Sequence, residues 1–478
     1  MIPKLAKRAR TKTVATVGPA CRDVATLTEL IKRSVDVFRL NMAHGTRADH
    51  ELAIANIRQA AADLHLPVGI LVDLAGPKIR LGALAENPLV LENGDTVTFV
   101  PGESTSNRDE LVCLYEPLIR EVAVGDAIVL ADGIARLEAI EASDNRLVCK
   151  VIDGGAIRSR QGVNLPGTKL SVPALGDVDK DNAVWAAGQG VDFVSLSFVR
   201  NAAEVIELKE LLQENGSDAM VVSKVEKAEA LGCLDQIVKA SDAIMVARGD
   251  LGVEIAVEKT PLAQKRIIRT CLQHRKPVIV ATQMLESMHT TKQPTRAEVS
   301  DVANAILDGA DACMLSGETA IGEYPLDSAG MMQRIMMETE TMFADRSSRM
   351  TSYDSATGWS VTDAVIFASA QIARRVGAEM VVFCTSCRDA AILKSKQRDH
   401  VPTVCFTDNE QAYRQMSLLW GVTPVLLPEA LDGNHLPAFI DKWAIEHGGA
   451  KSGDPVVVVA DTELLSGVHD TVMVMKIR

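Results

Sequence analysis

The apolar run "AMVVSKVE" (219–226) ends on Glu226, and "AIMVARGD" (243–250) ends on Asp250. Each is a carboxylate at the end of a stretch apolar enough to be a buried strand. Lys224 lies two residues before Glu226. Other runs end in the same way: Arg39 and Asn41 in "DVFRLNM", Asp73 in "VGILVDL", Ser197 in "DFVSLSFV", Thr282 in "PVIVATQ", Ser316 and Glu318 in "ACMLSGE". If these ends meet, two carboxylates, a lysine and an arginine make a site for a divalent cation and an anion. Mg²⁺ takes hard oxygen ligands, commonly one or two carboxylates, and keeps its other positions for substrate oxygens. Glu226 and Asp250 suit that role. Gly249 and Gly252 beside Asp250 leave no Cβ between backbone N–H groups and a ligand.

Elements that bring such ends together are legible. The runs at 36–42, 68–74, 192–199, 219–226, 243–250, 277–283 and 312–318, with "TKTVATVG" (11–18), make eight strand-like segments. Amphipathic stretches such as "TRADHELAIANIRQAAADLH" separate them and are long enough for crossovers between parallel strands. Eight βα units predict an α/β fold of the TIM (β/α)8 type, in which chemistry collects at the C-terminal mouth. After the third segment the rhythm breaks. Residues 75–171 carry short alternating runs punctuated by Asn93-Gly94, Gly125-Asp126, Asp132-Gly133 and Gly154-Gly155, the pattern of a small inserted all-β domain. Beyond the polar stretch "RSSRMTSYDSATGWS" alternation resumes with "EMVVFCTS", "VPTVCFTD" and "DPVVVVAD", a separate C-terminal α/β domain. The expected borders are 1–74 with 172–345 for the barrel, 75–171 for a β-barrel lid and 346–478 for the C-terminal domain.

Bulk properties agree with this plan. A chain of 478 residues predicts roughly three domains, and 47% apolar with 24% charged residues is enough to bury full cores. The net charge of −13 argues against nucleic acid as a partner, which needs a basic face. The basic start "MIPKLAKRARTKT" is followed by no apolar h-region, and no apolar span is long enough for a membrane, so a cytoplasmic protein is expected. Nine scattered cysteines read as reduced thiols. The single Cys384-Thr-Ser-Cys387 has no second pair at zinc spacing, so no metal is assigned there.

The segments "FRLNMAHG", "DLAGPKIR", "GVNLPG", "VSKVEKAEAL", "MVARGDLGVEI", "ATQMLESM" and "PTRAEVSDVANAILDGADACMLSGETAIGEYP" resemble the pyruvate kinase family in order and spacing, closely over residues 11 to about 345. The resemblance implies a barrel with a mobile lid after the third strand, a C-terminal regulatory domain and a homotetramer. It implies a glycolytic enzyme that moves a phosphoryl group from phosphoenolpyruvate to ADP through a metal-stabilised enolate that is then protonated. By the same resemblance Glu226 and Asp250 would hold Mg²⁺ or Mn²⁺. Lys224 would stabilise the phosphoryl group in flight, and Arg39 would hold the donor phosphate. Thr282 with the backbone at Gly249 would seat the carboxylate end. Asn41, His44 and Arg80 would meet the nucleotide.

Departures from the family pattern carry expectations of their own. Gln161 stands where the family commonly has a lysine, with Arg160 as a substitute. K⁺-dependent relatives ligate the ion with an asparagine, a serine and an aspartate, matched here by Asn41, Ala43 and Asp73. Lys78 stands where those relatives carry a glutamate, so K⁺ is not expected to be required. In the C-terminal domain Asp389, Asp461 and Glu463 oppose a sugar bisphosphate by like charge, and no activation by fructose 1,6-bisphosphate is expected. A metal-dependent pyruvate aldolase or lyase would also use Glu226, Asp250 and Arg39. It has no use for "FRLNMAHG" or the insert. An inactive homologue serving as a binding subunit requires a broken site, and Arg39, Lys224, Glu226, Asp250 and Thr282 are all present.

Overall fold

A computed structural model describes residues 8–344, 360–428, 435–460 and 471–478. Asp461, Glu463 and nearly all of the polar stretch 346–360 lie outside the described residues. The eight apolar runs become β1 (Lys12–Thr16), β2 (Val35–Asn41), β3 (Gly69–Asp73), β4 (Phe193–Leu196), β5 (Met220–Val225), β6 (Ala243–Ala247), β7 (Val278–Ala281) and β8 (Ala312–Leu315). They pair in parallel as one closed barrel in chain order, β1 meeting β8. Both faces of each strand are apolar because both are covered. Val14, Val37, Leu71, Phe193 and Met245 fill the interior, while Ala15, Phe38, Ile70 and Val194 pack beneath the helices. The helices Arg47–Leu64 and Arg296–Asp308 start on reciprocal capping boxes, Thr46 with Asp49 and Thr295 with Glu298. Such caps mark where each loop at the mouth ends and its helix begins.

The barrel floor has a rule of its own. Asp36, Asp192, Asp242 and Asp311 stand at or just before the even strands, and each accepts the N–H of a residue on the preceding odd strand. The donors are Thr13 (2.9 Å), Ile70 (2.8 Å), Val221 (2.9 Å) and Val278 (2.8 Å). Two of these carboxylates, beside β4 and β8 on opposite sides of the ring, also receive cations from the C-terminal domain. Asp192 pairs with Arg414 (2.7 Å) and Asp311 with the buried Lys396 and with Arg398 (3.1 Å). Leu418 of that domain completes the core inside the barrel. Gly69 permits this docking, since a Cβ there would lie 2.9 Å from Ser417 Oγ and 2.7 Å from the Phe193 ring. The floor is thus plugged, and the mouth is the open end.

Between β3 and β4 the insert forms a six-stranded sheet and a two-stranded ladder around one core that includes Phe99, Leu111, Leu137 and Cys149. The first segment of the insert bridges both edges of the six-stranded sheet, Arg80 to Gly162 beside Val163–Asn164 and Leu81 to Cys113 beside Glu110–Val112, and Ala83 bridges to Ser104. The C-terminal domain is a five-stranded sheet, β9 (Met380–Cys384), β10 (Thr403–Thr407), β11 (Val422–Leu426), β12 (Pro455–Ala460) and β13 (Thr471–Lys476), in the order β11-β10-β9-β12-β13. Only β13 runs antiparallel. None of the nine cysteines is in a disulfide. No helix among the described residues is long and apolar enough to cross a membrane.

Asp242 and Asp311 support equivalent strand contacts, but Asp242 faces the partly exposed Lys209 whereas Asp311 faces the fully buried Lys396. Asp311→Ala should therefore cost about 3–5 kcal/mol by leaving a buried cation unpaired. Asp242→Ala should cost about 1–3 kcal/mol, the loss of an acceptor for one N–H. Urea unfolding followed by tryptophan fluorescence measures both. Equal losses would remove domain docking as the cause.

Candidate active site

At the mouth, buried charges alternate from strand to strand. Arg39 on β2 donates Nε to Asp73 Oδ2 (2.7 Å), brings Nη2 to the same oxygen (2.5 Å) and donates Nη1 to Thr16 Oγ1 (3.1 Å). Asp73, at the end of β3, also accepts from Ser195 Oγ and faces Lys224 Nζ at 3.3 Å. Lys224 in turn lies 2.9 Å from Glu226 Oε1 and donates to Ser197 Oγ (2.8 Å). Burial alone would raise the Asp73 carboxyl, but Lys224 and Arg39 hold it below its ordinary value. Burial would lower the Lys224 ammonium, and Asp73 with Glu226 more than reverses this, so Lys224 stays charged.

The chain of charges ends with a carboxylate to spare. Two cations, Arg39 and Lys224, face three carboxylates, Asp73, Glu226 and Asp250, so the cluster carries one excess negative charge. Burial pushes the Glu226 carboxyl up to about 7, with Lys224 opposing and Asp250 adding to the rise. Asp250 stands in the first turn of a short helix, Arg248–Glu254, that starts directly after β6. Glu226 and Asp250 both line the cleft beneath the lid, with Arg39, Asn41, His44 and Lys78. Two carboxylates lining the cleft with surplus charge fit a divalent cation that keeps positions for substrate oxygens. Among the described residues no group of three His, Cys, Asp or Glu forms a ready cage.

Thr282 does not line the cleft directly. Its hydroxyl accepts from Gly249 N–H (2.8 Å) and donates to the Ala281 carbonyl (2.7 Å). Thr282 and Gln283 both adopt left-handed backbone, with φ of 66° and 52°, which is an outlier for a β-branched residue. Arg248 holds this turn by donating to the carbonyls of Thr282 (2.7 Å) and Gln283 (3.2 Å), and it is anchored in turn by Asp301 (2.6 Å). The sequence offered no signal for that role, because an arginine beside Gly249-Asp250 reads as a ligand contact.

The opposite wall is basic. Burial lowers the His44 imidazole, and Lys78, Arg80 and Arg39 push it down further, so three cations surround it. Lys78 is exposed in the cleft. Arg80 donates to the Arg160 carbonyl of the lid (3.0 Å) and stands just off the cleft lining. Gln161 is turned into its own loop, where it accepts from Arg158 N–H (2.5 Å). Asn41 Oδ1 accepts from Ala43 N–H (3.1 Å). Glu318 differs from the expectation for a strand-end residue. It is fully buried and accepts from the N–H groups of Leu285 (3.1 Å) and Ser316 (2.7 Å), so it shapes loops away from the cleft.

Comparison with known proteins places this architecture. The family model described as the barrel domain of pyruvate kinase matches residues 8–329, and the one described as its alpha/beta domain matches 363–475. A pyruvate kinase of Corynebacterium glutamicum is 40% identical over 453 residues, 94% of each chain. One from Geobacillus stearothermophilus is 38% identical, over 94% of this chain and 77% of its own. A crystal structure of a pyruvate kinase from Cryptosporidium parvum superposes with a TM-score of 0.91 at 34% identity, over 99% of this chain and 97% of that one.

The charge chain yields a direct test. Asp73→Asn removes one of the two carboxylates that keep the Lys224 ammonium charged, so Lys224 should titrate lower by about one pH unit or more. The pH dependence of acetic anhydride labelling at Lys224, read by mass spectrometry, reports the shift. An unchanged profile would mean that Asp73 does not govern this lysine.

Proposed function

The chain belongs to the pyruvate kinase family, enzymes that transfer the phosphoryl group of phosphoenolpyruvate to ADP, and on that premise we propose how its own residues perform the transfer. The observation that carries the reading is the alternating buried charge at the mouth, ending in two carboxylates on an open cleft. Glu226 and Asp250 hold the divalent cation, Mg²⁺ or Mn²⁺. When bound, it supplies positive charge to the carboxylate and enol oxygen of the donor. Arg39, fixed by Asp73 and Thr16, binds the donor phosphate. Lys224, kept charged by its two carboxylate neighbours, offsets the charge of the phosphoryl group as it moves. Little covalent help is needed, so positioning and positive charge do most of the work.

Thr282 and the Gly249 backbone act as one unit at the carboxylate end of the donor, because their hydrogen bond ties them. The hydroxyl turns from the Ala281 carbonyl toward the substrate. Asn41, His44 and Arg80 receive ADP, where the three cations around His44 attract its phosphates. Arg160 supplies the lid contribution, since Gln161 is held within its loop. The lid (75–171) closes over the barrel (1–74 and 172–345), while residues 346–478 regulate and the family resemblance supports assembly as a homotetramer.

K⁺ is not required in this reading. Asp73 is committed to Arg39, Lys224 and Ser195, Ala43 brings no hydroxyl, and Lys78 extends a positive charge into the same cleft. A lysine ammonium is a compact point charge able to stand in for the ion.

A coupled assay with phosphoenolpyruvate and ADP tests the whole reading. Lys224→Met should lower turnover by about 10²–10³-fold or more, while exchange of pyruvate methyl protons with solvent survives better, since it needs no phosphoryl transfer. Equal loss of both reactions would contradict this division of roles. In tetramethylammonium buffer free of K⁺ the rate should stay close to that in K⁺. Lys78→Glu should cripple the enzyme there, and adding Ala43→Ser should let K⁺ restore part of the rate, the two changes coupling as neighbours do. Strong K⁺ activation of the unaltered protein would sink the replacement.

A further inference from the structure

Two residues that follow β4 stand where the barrel hands over to the lid, and the phosphoryl chemistry itself does not call on either. The Ser197 hydroxyl accepts from Lys224 and donates to the Leu74 carbonyl (2.6 Å). Phe198 donates its N–H to Glu226 Oε2 (2.7 Å), and its ring bears on Gly76. A Cβ at Gly76 would lie 2.5 Å from Phe198 Cδ2 and 2.9 Å from Ser197 Cβ, and Gly76 itself has φ of +68°. Leu74 to Gly76 is the crossing by which the chain leaves the barrel for the lid. The same crossing is gripped from the other side by the buried Asp179, which accepts from the N–H groups of Ala75 (3.1 Å) and Gly76 (2.9 Å). Phe198 holds φ of 55°, a strained backbone for a bulky side chain, of a kind that persists only where its surroundings enforce it.

The geometry points to Phe198 as a positioning residue that couples cation occupancy at Glu226 to the stance of the lid hinge at Gly76. This inference rests on Glu226 being a cation ligand. Both oxygens of Glu226 are occupied in the structure, Oε1 by Lys224 and Oε2 by Phe198 N–H. A cation drawn to this carboxylate competes with those two donors and re-aims it. Lys224 is a flexible side chain and can give way. Phe198 is bound through its backbone, so its strained φ must respond, and its ring cannot turn in a packed interior without displacing the hinge. A strained residue held from two sides is the kind of element that has two arrangements and not a continuum. Coupling between sites is reciprocal, so a change at the hinge must alter cation affinity by the factor with which the cation alters the hinge. A residue that merely packs would lower stability on truncation and leave the response of the hinge unchanged.

Mn²⁺ is the probe, with affinity read by electron paramagnetic resonance and hinge opening read by hydrogen exchange of the segments 74–84 and 165–176. In the unaltered protein Mn²⁺ should change exchange at the hinge by about five-fold or more. Phe198→Ala keeps the backbone N–H and should bind Mn²⁺ within about three-fold of the original affinity, while the hinge response is lost. Phe198→Leu serves the same comparison if the alanine variant does not fold, with a weakened response expected. Gly76→Ala, which touches no cation ligand, should shift Mn²⁺ affinity by about five-fold or more. A full hinge response in the Phe198 variants, or an unchanged Mn²⁺ affinity in Gly76→Ala, would overturn the coupling. Mn²⁺ binding that survives Glu226→Gln unaltered would instead overturn the cation assignment on which the coupling rests.

Discussion

Asp73 is the carboxylate on which the mouth of this barrel depends. It is almost wholly buried, yet it touches both an arginine and a lysine. An ion taken out of water costs several kcal/mol unless its partners are close and well aimed. Each member of the row Arg39, Asp73, Lys224, Glu226 meets that demand through its neighbour of opposite sign. The row runs across β2, β3 and the end of β5, with Ser195 and Ser197 of β4 supplying hydroxyls between them. The parallel order β2-β3-β4-β5 sets these side chains side by side. The surplus carboxylate at the cleft end, Asp250, leaves one charge that the row does not match.

The floor of the same barrel shows the opposite solution. There four aspartates accept strand N–H groups, and Asp192 and Asp311 are further matched by arginines and a lysine, partly from another domain. All four carboxylates have partners, and Leu418 seals the barrel interior. Carboxylates at the two ends of the barrel thus do different work. At the floor two of the four hold domains together, and at the mouth Glu226 and Asp250 line the open cleft.

Strain follows the same division. Thr282, Gln283 and Phe198 all take left-handed backbone at the mouth, and each is held by a specific polar bond: the first two through Arg248, the third through Glu226. Such conformations cost of order 1–3 kcal/mol apiece and last only where the surroundings over-determine them. Here those surroundings are the charged side chains at the mouth and the crossing into the insert, so the strained turns and the charged row are parts of one construction.

Much of this was legible in the residues alone. Apolar runs broken by amphipathic stretches reported eight strands and their helices, since burial on both faces leaves no other composition open to a central parallel strand. Polar residues at the run ends marked Arg39, Lys224, Glu226 and Asp250 as site candidates, because chain direction in a parallel barrel sends every strand end to one mouth. The four floor aspartates were also written in the sequence, in "SVDVF", "GVDFV", "SDAIM" and "GADACM", but a lone Asp before a strand reads as a turn residue until its acceptor role is seen. Other features had no linear signal. Glu318 ends a run as Glu226 does, yet it folds inward to serve loop amides. Arg248 supports Thr282 from 34 positions away in the chain, and Phe198 joins Glu226 to Gly76 across two strand ends. Periodicity records which residues are buried and which backbone each can adopt. Which charge meets which, and which glycine lies under which ring, is decided by strand order and register in space, where residues far apart in sequence share one dry volume.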